Sequence, residues 1–162
     1  MARTAPLDAG RELIEAFRHN GQVSEYLVQS LPLALWQAAP QNGRGRTIAA
    51  IVAHMQSVRR MFARTGGARP GPPTLDRKRA TPAQAILALR RSTDDLAGLF
   101  EDALREGRAR VKGMPRRMVN MMIYLIEHDA HHRGQICWLA RDLGHKFSAD
   151  DIMRMWGWKA VP

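Results

Sequence analysis

Three histidines stand where imidazole chemistry is within reach: His54 in AAIVAHMQSV, and the pair His128 and His132 in EHDAHHRGQ. Residues four apart on a helix are separated by only about 40° around its axis, so His128 and His132 present both rings to one side. Two imidazoles one turn apart can hold one metal ion. A third from a facing helix closes a three-nitrogen cap that leaves coordination positions open, an arrangement of catalytic rather than closed structural type. Neutral imidazoles suit Zn, Ni, Fe(II) or Cu, and they leave the full positive charge of the ion to act on a bound water or an anionic substrate. Asp129 points toward the apolar side of the same segment and precedes Arg133 by four residues. It is expected to form a salt bridge or to orient a ligand histidine from behind.

These residues need helices to carry them. Apolar residues recur at intervals of three and four along nearly the whole chain and no run alternates with period two, so the expected class is all-α. A first helix is expected over about 8–30, with Leu13, Ile14, Phe17, Leu27 and Leu31 toward the core and Pro32 at its end. Thr47 is a fair N-cap for a second helix reaching about Thr65. The stretch 65–80, with three Gly and three Pro, is long for a helix connection and predicts a crossover rather than a tight hairpin. Thr81-Pro82-Ala83-Gln84 combines a capping Thr, a Pro at the first helical position and a Gln three residues after the cap, which starts a third helix ending before Gly107. A fourth is expected from about Pro115 to about Leu143, with Gly144 as its stop, and a short last one after Ser148, whose spacing to Asp151 resembles a capping box. Four long helices and a short tail make an antiparallel four-helix bundle the most economical architecture.

On helical wheels the histidines separate. His54 falls within the arc of Met61, Val58, Ile51, Phe62, Met55, Ile48 and Val52, with Gln56, Ser57, Arg60 and Arg64 opposite, so its ring is expected to point inward. In the fourth helix, His128 and His132 lie at one edge of an apolar arc that includes Val119, Met121, Ile123, Leu125 and Leu139. His131 falls beside Asn120, Tyr124, Glu127 and Gln135, facing solvent or backing the site. A buried imidazole requires a hydrogen-bond partner or a metal, because burial without either costs on the order of 1–3 kcal/mol. Cys137 is about 140° from His132 and cannot join it. His-Asp-x-x-His also differs from a metalloprotease His-Glu-x-x-His by one carboxylate, but the shorter Asp reaches a metal-bound water less well and no strand is available to align a peptide. His19 and His145 are expected as surface or capping residues, the four Trp as core or interface anchors, and the nine Met first as core filler.

The composition bounds the rest. A chain of 162 residues with 45% hydrophobic and 25% charged residues has the make-up of one globular domain, and a single cysteine excludes a disulfide framework or a multi-cysteine metal site. No apolar run is long enough to span a bilayer and the first ten residues lack a secretory apolar stretch, so a cytoplasmic protein without a membrane role is expected. The formal charge of +10 raises nucleic acid as a partner. The basic residues are nevertheless spread along the chain, Arg59 and Arg60 among them, without interleaved aromatics or a binding motif. An arginine-rich solvated surface is the preferred reading.

His54 in its helix, followed by HDAHHRGQI over 128–136, resembles the DinB-like (DinB/YfiT) superfamily of small metal-binding four-helix bundles. The resemblance extends over nearly the whole chain. It implies a bundle with a long crossover between helices two and three, a divalent metal (Zn, Ni or Fe(II)) on His54, His128 and His132, and a homodimer. Relatives include thiol-cofactor-dependent transferases and a maleylpyruvate isomerase. The implied function is a metal-dependent enzyme that activates a low-molecular-weight thiol, or a water, toward a small-molecule substrate, with arginines near the bundle mouth available to hold a carboxylate of the cofactor. The alternative is a stress-response protein in which the metal only stabilises the fold, and a basic nucleic-acid-associated protein stands third.

Overall fold

The computed structural model describes residues 7–69, 71 and 73–161, and among these all regular structure is helical. Helix α1 (Ala9–Gln29) begins where the Asp8 carboxylate accepts hydrogen bonds from the backbone N–H groups of Gly10 and Arg11. Pro32 then starts a single 3-10 turn, Leu33–Leu35. Thr47 caps α2 (Ile48–Thr65), and the full Thr81/Gln84 capping box opens α3 (Pro82–Arg105). Helix α4 (Met118–Asp142) starts three residues later than the Pro115 expected from sequence. The Met118 N–H bonds back to the Ala109 carbonyl, so the chain around Pro115 still belongs to the connection. The short α5 (Ala149–Met155) has the expected Ser148/Asp151 box.

Contacts between helices fix their directions. Arg18 bonds Asp94 and Glu101 while Glu25 accepts from Arg90, so α1 and α3 are antiparallel. Rings of α2 and α4 meet as His54 with His132 and Phe62 with Tyr124, again antiparallel. Asn20 meets Asp129 and Ser24 meets Arg133, so α1 and α4 run the same way. Helices α2 and α3 are parallel too: Arg59 reaches Leu89 and Thr93, and Gly66 lies against Leu99. The bundle is therefore not antiparallel throughout, because the 66–81 segment carries the chain back along its length before α3 begins. That crossover is pinned by the Trp36 indole donating to the Ala80 carbonyl at 2.6 Å and by the Leu75 N–H donating to Gln56 Oε1 at 3.2 Å.

The core divides into two apolar clusters. One contains Ile14, Phe17, Ala63, Leu96, Phe100, Met121 and Leu125; the other contains Leu27, Val52, Met55, Leu89, Ile136 and Leu139. Every long helix places buried polar residues between the two clusters: Asn20 and Ser24, Arg59, Ser92 and Thr93, Asp129 and His132. Gly21 lies in this layer where α1 approaches α3 closely enough that a Cβ would come within 2.6 Å of Thr93 Oγ1. Five of the methionines are buried, as core filler should be, but Met61, Val119 and Ile123, expected in the core arcs, are 51%, 46% and 41% exposed. Trp36 is the one core tryptophan; Trp138, Trp156 and Trp158 stand on the surface.

Helix α5 docks on α1 through the Tyr26 hydroxyl, which donates to Asp151 Oδ1 at 2.6 Å. Hydrogen bonds from Ser148 and then Tyr26 hold the Asp151 carboxyl below its ordinary value. A carboxyl so lowered stabilises the docked state above the unfolded value near pH 3.9 and loses that contribution as pH falls through the folded value. Tyr26→Phe should speed amide exchange over 149–155 by roughly fivefold at neutral pH, the worth of one hydrogen bond. Wild-type protein should approach the variant's behaviour only as the solution is acidified below about pH 4. Exchange that is equal in the two proteins at neutral pH would dismiss this contact as the anchor.

Candidate metal centre

The site is built on the layer of buried polar groups. Arg59 and Asp129 are both fully buried, and the Arg59 Nη2–H donates to Asp129 Oδ2 at 2.5 Å. The second arm of Arg59 donates to Thr93 Oγ1 at 2.7 Å and to the Leu89 carbonyl at 3.2 Å. Asn20 Nδ2 donates to the same Asp129 oxygen at 2.8 Å, and Asn20 Oδ1 accepts from Arg133 at 2.7 Å. All four long helices are joined at one level. Burial pushes the Asp129 carboxyl up, but the Arg59 guanidinium above all, with His128 and Arg133, holds it below its ordinary value. The expected Asp129–Arg133 salt bridge is replaced: Asp129 bonds Arg59, and Arg133 bonds Asn20 and Ser24.

One residue before this aspartate, His128 turns its Nδ1 toward Asp129 Oδ1 at 3.8 Å. Its Nε2 faces His132 Nε2 at 3.2 Å. Two ligands at about 2.05 Å in a tetrahedral shell stand roughly 3.3 Å apart, so this spacing suits a shared ion. His132 Nδ1 donates to Gln135 Oε1 at 2.8 Å, which keeps the proton on that nitrogen and leaves Nε2 bare. Gln135 Nε2 in turn donates to His131 Nε2 at 3.0 Å. The third ring, His54, lies 4.8 Å centroid to centroid from His132 and 5.4 Å from His128. Each of the three offers one nitrogen, and these nitrogens all lie within 4.8 Å of one another. Burial, with the nearby charge of Arg46, pulls His54 below the usual imidazole value. Burial likewise pulls His132 down despite Gln135. Lowered imidazoles are neutral at pH 7 and have lone pairs to give, so the donor set fits a divalent ion.

The structure thus brings together His54, His128 and His132 and places Asp129 behind His128. His131 is exposed and backs the site through Gln135, while Cys137 is outside it, half-buried, its thiol pushed up by burial. His19 is exposed and His145 packs on Phe147. His54 itself is half-buried rather than fully interior, because the true buried arc of α2 is turned toward Arg59, Ala63 and Gln56. Arg59 was expected on the solvated surface, and that reading is corrected. A wheel puts it about 40° from Met55, between Ile48 and Val52, which is the signal that marks it as interior. The partners Asn20 and Gln135 carry no such mark in the sequence.

The model of the DinB family matches residues 1–159. The chain belongs to the DinB family. No curated protein matches it significantly. As a DinB-family bundle it carries a three-histidine cluster able to hold a metal ion, and among the described residues no helix is long and apolar enough to cross a membrane.

Asp129→Ala should cost about 3–5 kcal/mol of stability in urea denaturation, since it strands the Arg59 charge in the interior. The double change Arg59→Met with Asp129→Leu removes both charges and should cost far less. A single substitution costing under about 1 kcal/mol would show that the pair is not what joins the helices.

Proposed function

We propose that this DinB-family protein is a metal-dependent enzyme of the thiol transferase or isomerase type, using His54, His128 and His132 as ligands. The observation that carries the reading is the convergence of three imidazole nitrogens from α2 and α4, with the proton of His132 held on the far side by Gln135. A divalent ion (Zn, Ni or Fe(II)) bound there supplies a Lewis acid that lowers the pKa of a low-molecular-weight thiol, or of a water, and so makes a nucleophile at neutral pH. The chain's own residues do the rest. His54, His128 and His132 are neutral donors, so the ion's charge is not cancelled by its ligands. Gln135 fixes the tautomer and ring orientation of His132. The Arg59–Asp129 pair holds α4 in register with α2, which keeps the two halves of the ligand set facing each other.

Calorimetric titration should find one zinc ion per chain, lost in His54→Ala, His128→Ala and His132→Ala. Gln135→Leu should weaken binding by roughly 10–100-fold, the usual effect of removing a group that orients a ligand. Zinc-loaded protein should also accelerate conjugation of cysteine to 1-chloro-2,4-dinitrobenzene at neutral pH, a reaction in which the thiol sulfur bonds the ring carbon and chloride and a proton leave. Zinc binding without any acceleration would assign the ion a stabilising role, as in a metal-binding stress-response protein. Absence of zinc binding would remove the metal centre.

The proposal extends to a homodimer in a reducing cytoplasm, a compartment that suits a chain whose only cysteine is unpaired. Trp156 and Trp158, 76% and 71% exposed, with Ile152 beside them, support contact with a second copy at the C-terminal end. Sedimentation equilibrium should give twice the chain mass, and Trp156→Ala with Trp158→Ala should return it to the monomer. A wild-type monomer at micromolar concentration would refute the dimer.

A further inference from the structure

A cavity of about 700 Å³ lies between the 40–46 loop and the α4 face that carries His131 and Gln135, both in contact with His132. Its size is that of a small-molecule site. Two arginines, Arg44 and Arg46, line it, and no acidic side chain does. Both are exposed, and among the described residues neither guanidinium is held by a carboxylate. This sets them apart from Arg11, Arg18, Arg90 and Arg154, each of which has a carboxylate within 3.0 Å. The loop that presents them is shaped by turns at Gly43 and Gly45, with φ of 67° and 111°, and is tied to the end of α4 by Gln41 donating to the Asp142 carbonyl at 2.5 Å. The opposite wall sets apolar groups, Ile51, Leu139 and the 64% exposed indole of Trp138, beside His131 and Gln135.

We propose that this cavity binds a small organic carboxylate with an apolar or aromatic body, the anion held by Arg44 and Arg46 and the body laid on Trp138. A guanidinium fork matches a carboxylate in two parallel hydrogen bonds, and an exposed indole face gives a flat apolar molecule a partner that water does not. The cavity and the metal centre share parts. Gln135 lines the first and accepts from His132 in the second, and Arg46 lines the first while its charge bears on His54. A substrate carboxylate anchored here would be fixed next to the imidazole cluster, so the inference rests on the metal-centre proposal for its catalytic meaning. The binding itself is measured apart from it.

The test follows the Trp138 indole N–H resonance, assigned with Trp138→Phe, during titration of full-length protein with phenylacetate, phenylacetamide and acetate. Each titration is run both with zinc and after stripping with a chelator. Phenylacetate should shift the resonance saturably in both forms, and the amide and acetate should bind at least roughly tenfold more weakly, the worth of a charge-assisted contact and of a buried ring. Arg44→Gln with Arg46→Gln, both on an exposed loop, should weaken phenylacetate by the same order while leaving the melting temperature unchanged. Equal binding of acid and amide, an unaffected double variant, or dependence of acid binding on zinc would each overturn the assignment. Zinc titration of the same samples separates the two readings: a chain that binds zinc but fails the acid test loses only the cavity, and one that binds the acid but no zinc loses only the metal centre.

Discussion

The contact on which the bundle turns is the ion pair of Arg59 and Asp129, buried completely between two apolar clusters. Burying either charge alone would be prohibitive, and the pair is supported by Thr93 and the Leu89 carbonyl on one guanidinium arm and by Asn20 on Asp129 Oδ2, while Arg59 Nε and Asp129 Oδ1 have no hydrogen-bond partner among the described residues. A pair like this adds less to stability than well-packed aliphatic residues would. Its effect is on register. If α2 slid one turn along α4, a guanidinium and a carboxylate would each be left in hydrocarbon, whereas the leucines and methionines on either side would tolerate the shift. The small residues nearby serve the same layer: Gly21 lets α1 approach Thr93, the side chain that receives one arm of Arg59.

Register is what a site divided between two helices requires. His54 comes from α2, and His128 and His132 from α4, so the distances among their nitrogens depend on how those helices are set against each other. Arg59 lies five residues beyond His54, and Asp129 directly follows His128. The polar tie that fixes the helices is thus adjacent to the rings whose spacing matters. Gln135 acts more locally, setting one proton on one ring. Scaffold and chemistry occupy a single level of the bundle, with apolar packing above and below it.

Much of this was legible in the sequence. Caps at Thr47, Thr81 and Ser148 are local signals, because a side-chain oxygen and the N–H groups it serves are within three residues of one another, and the structure places them as the spacing predicts. The i,i+4 relation of His128 and His132 is equally local. What the wheel misjudged was the centre of each arc. It counts apolar residues without knowing which neighbour each will meet, so it draws Met61, Val119 and Ile123 inward and leaves Gln56 outside, while Arg59, whose angle lies within the arc, is assigned to the surface by its charge alone. Arg59 is buried because Asp129 is, and the tie between them spans the crossover and the whole of α3. Helix direction was hidden for the same reason: a connection's length excludes a tight hairpin but does not say where the chain lands.

The 66–81 segment is the covalent link between the half that supplies one of the three clustered imidazoles, α1 and α2, and the half that supplies two, α3 and α4. Severed there, the molecule would leave two fragments whose helices pack on those of the other fragment, α1 and α2 each against α3 and α4. Neither would own a complete ligand set or a neutralised interior charge, and each would carry the half that the other lacks. The protein is in that sense a self-complementing pair written as one polypeptide, in which the histidine cluster and the ion pair act as mutual passwords between the halves.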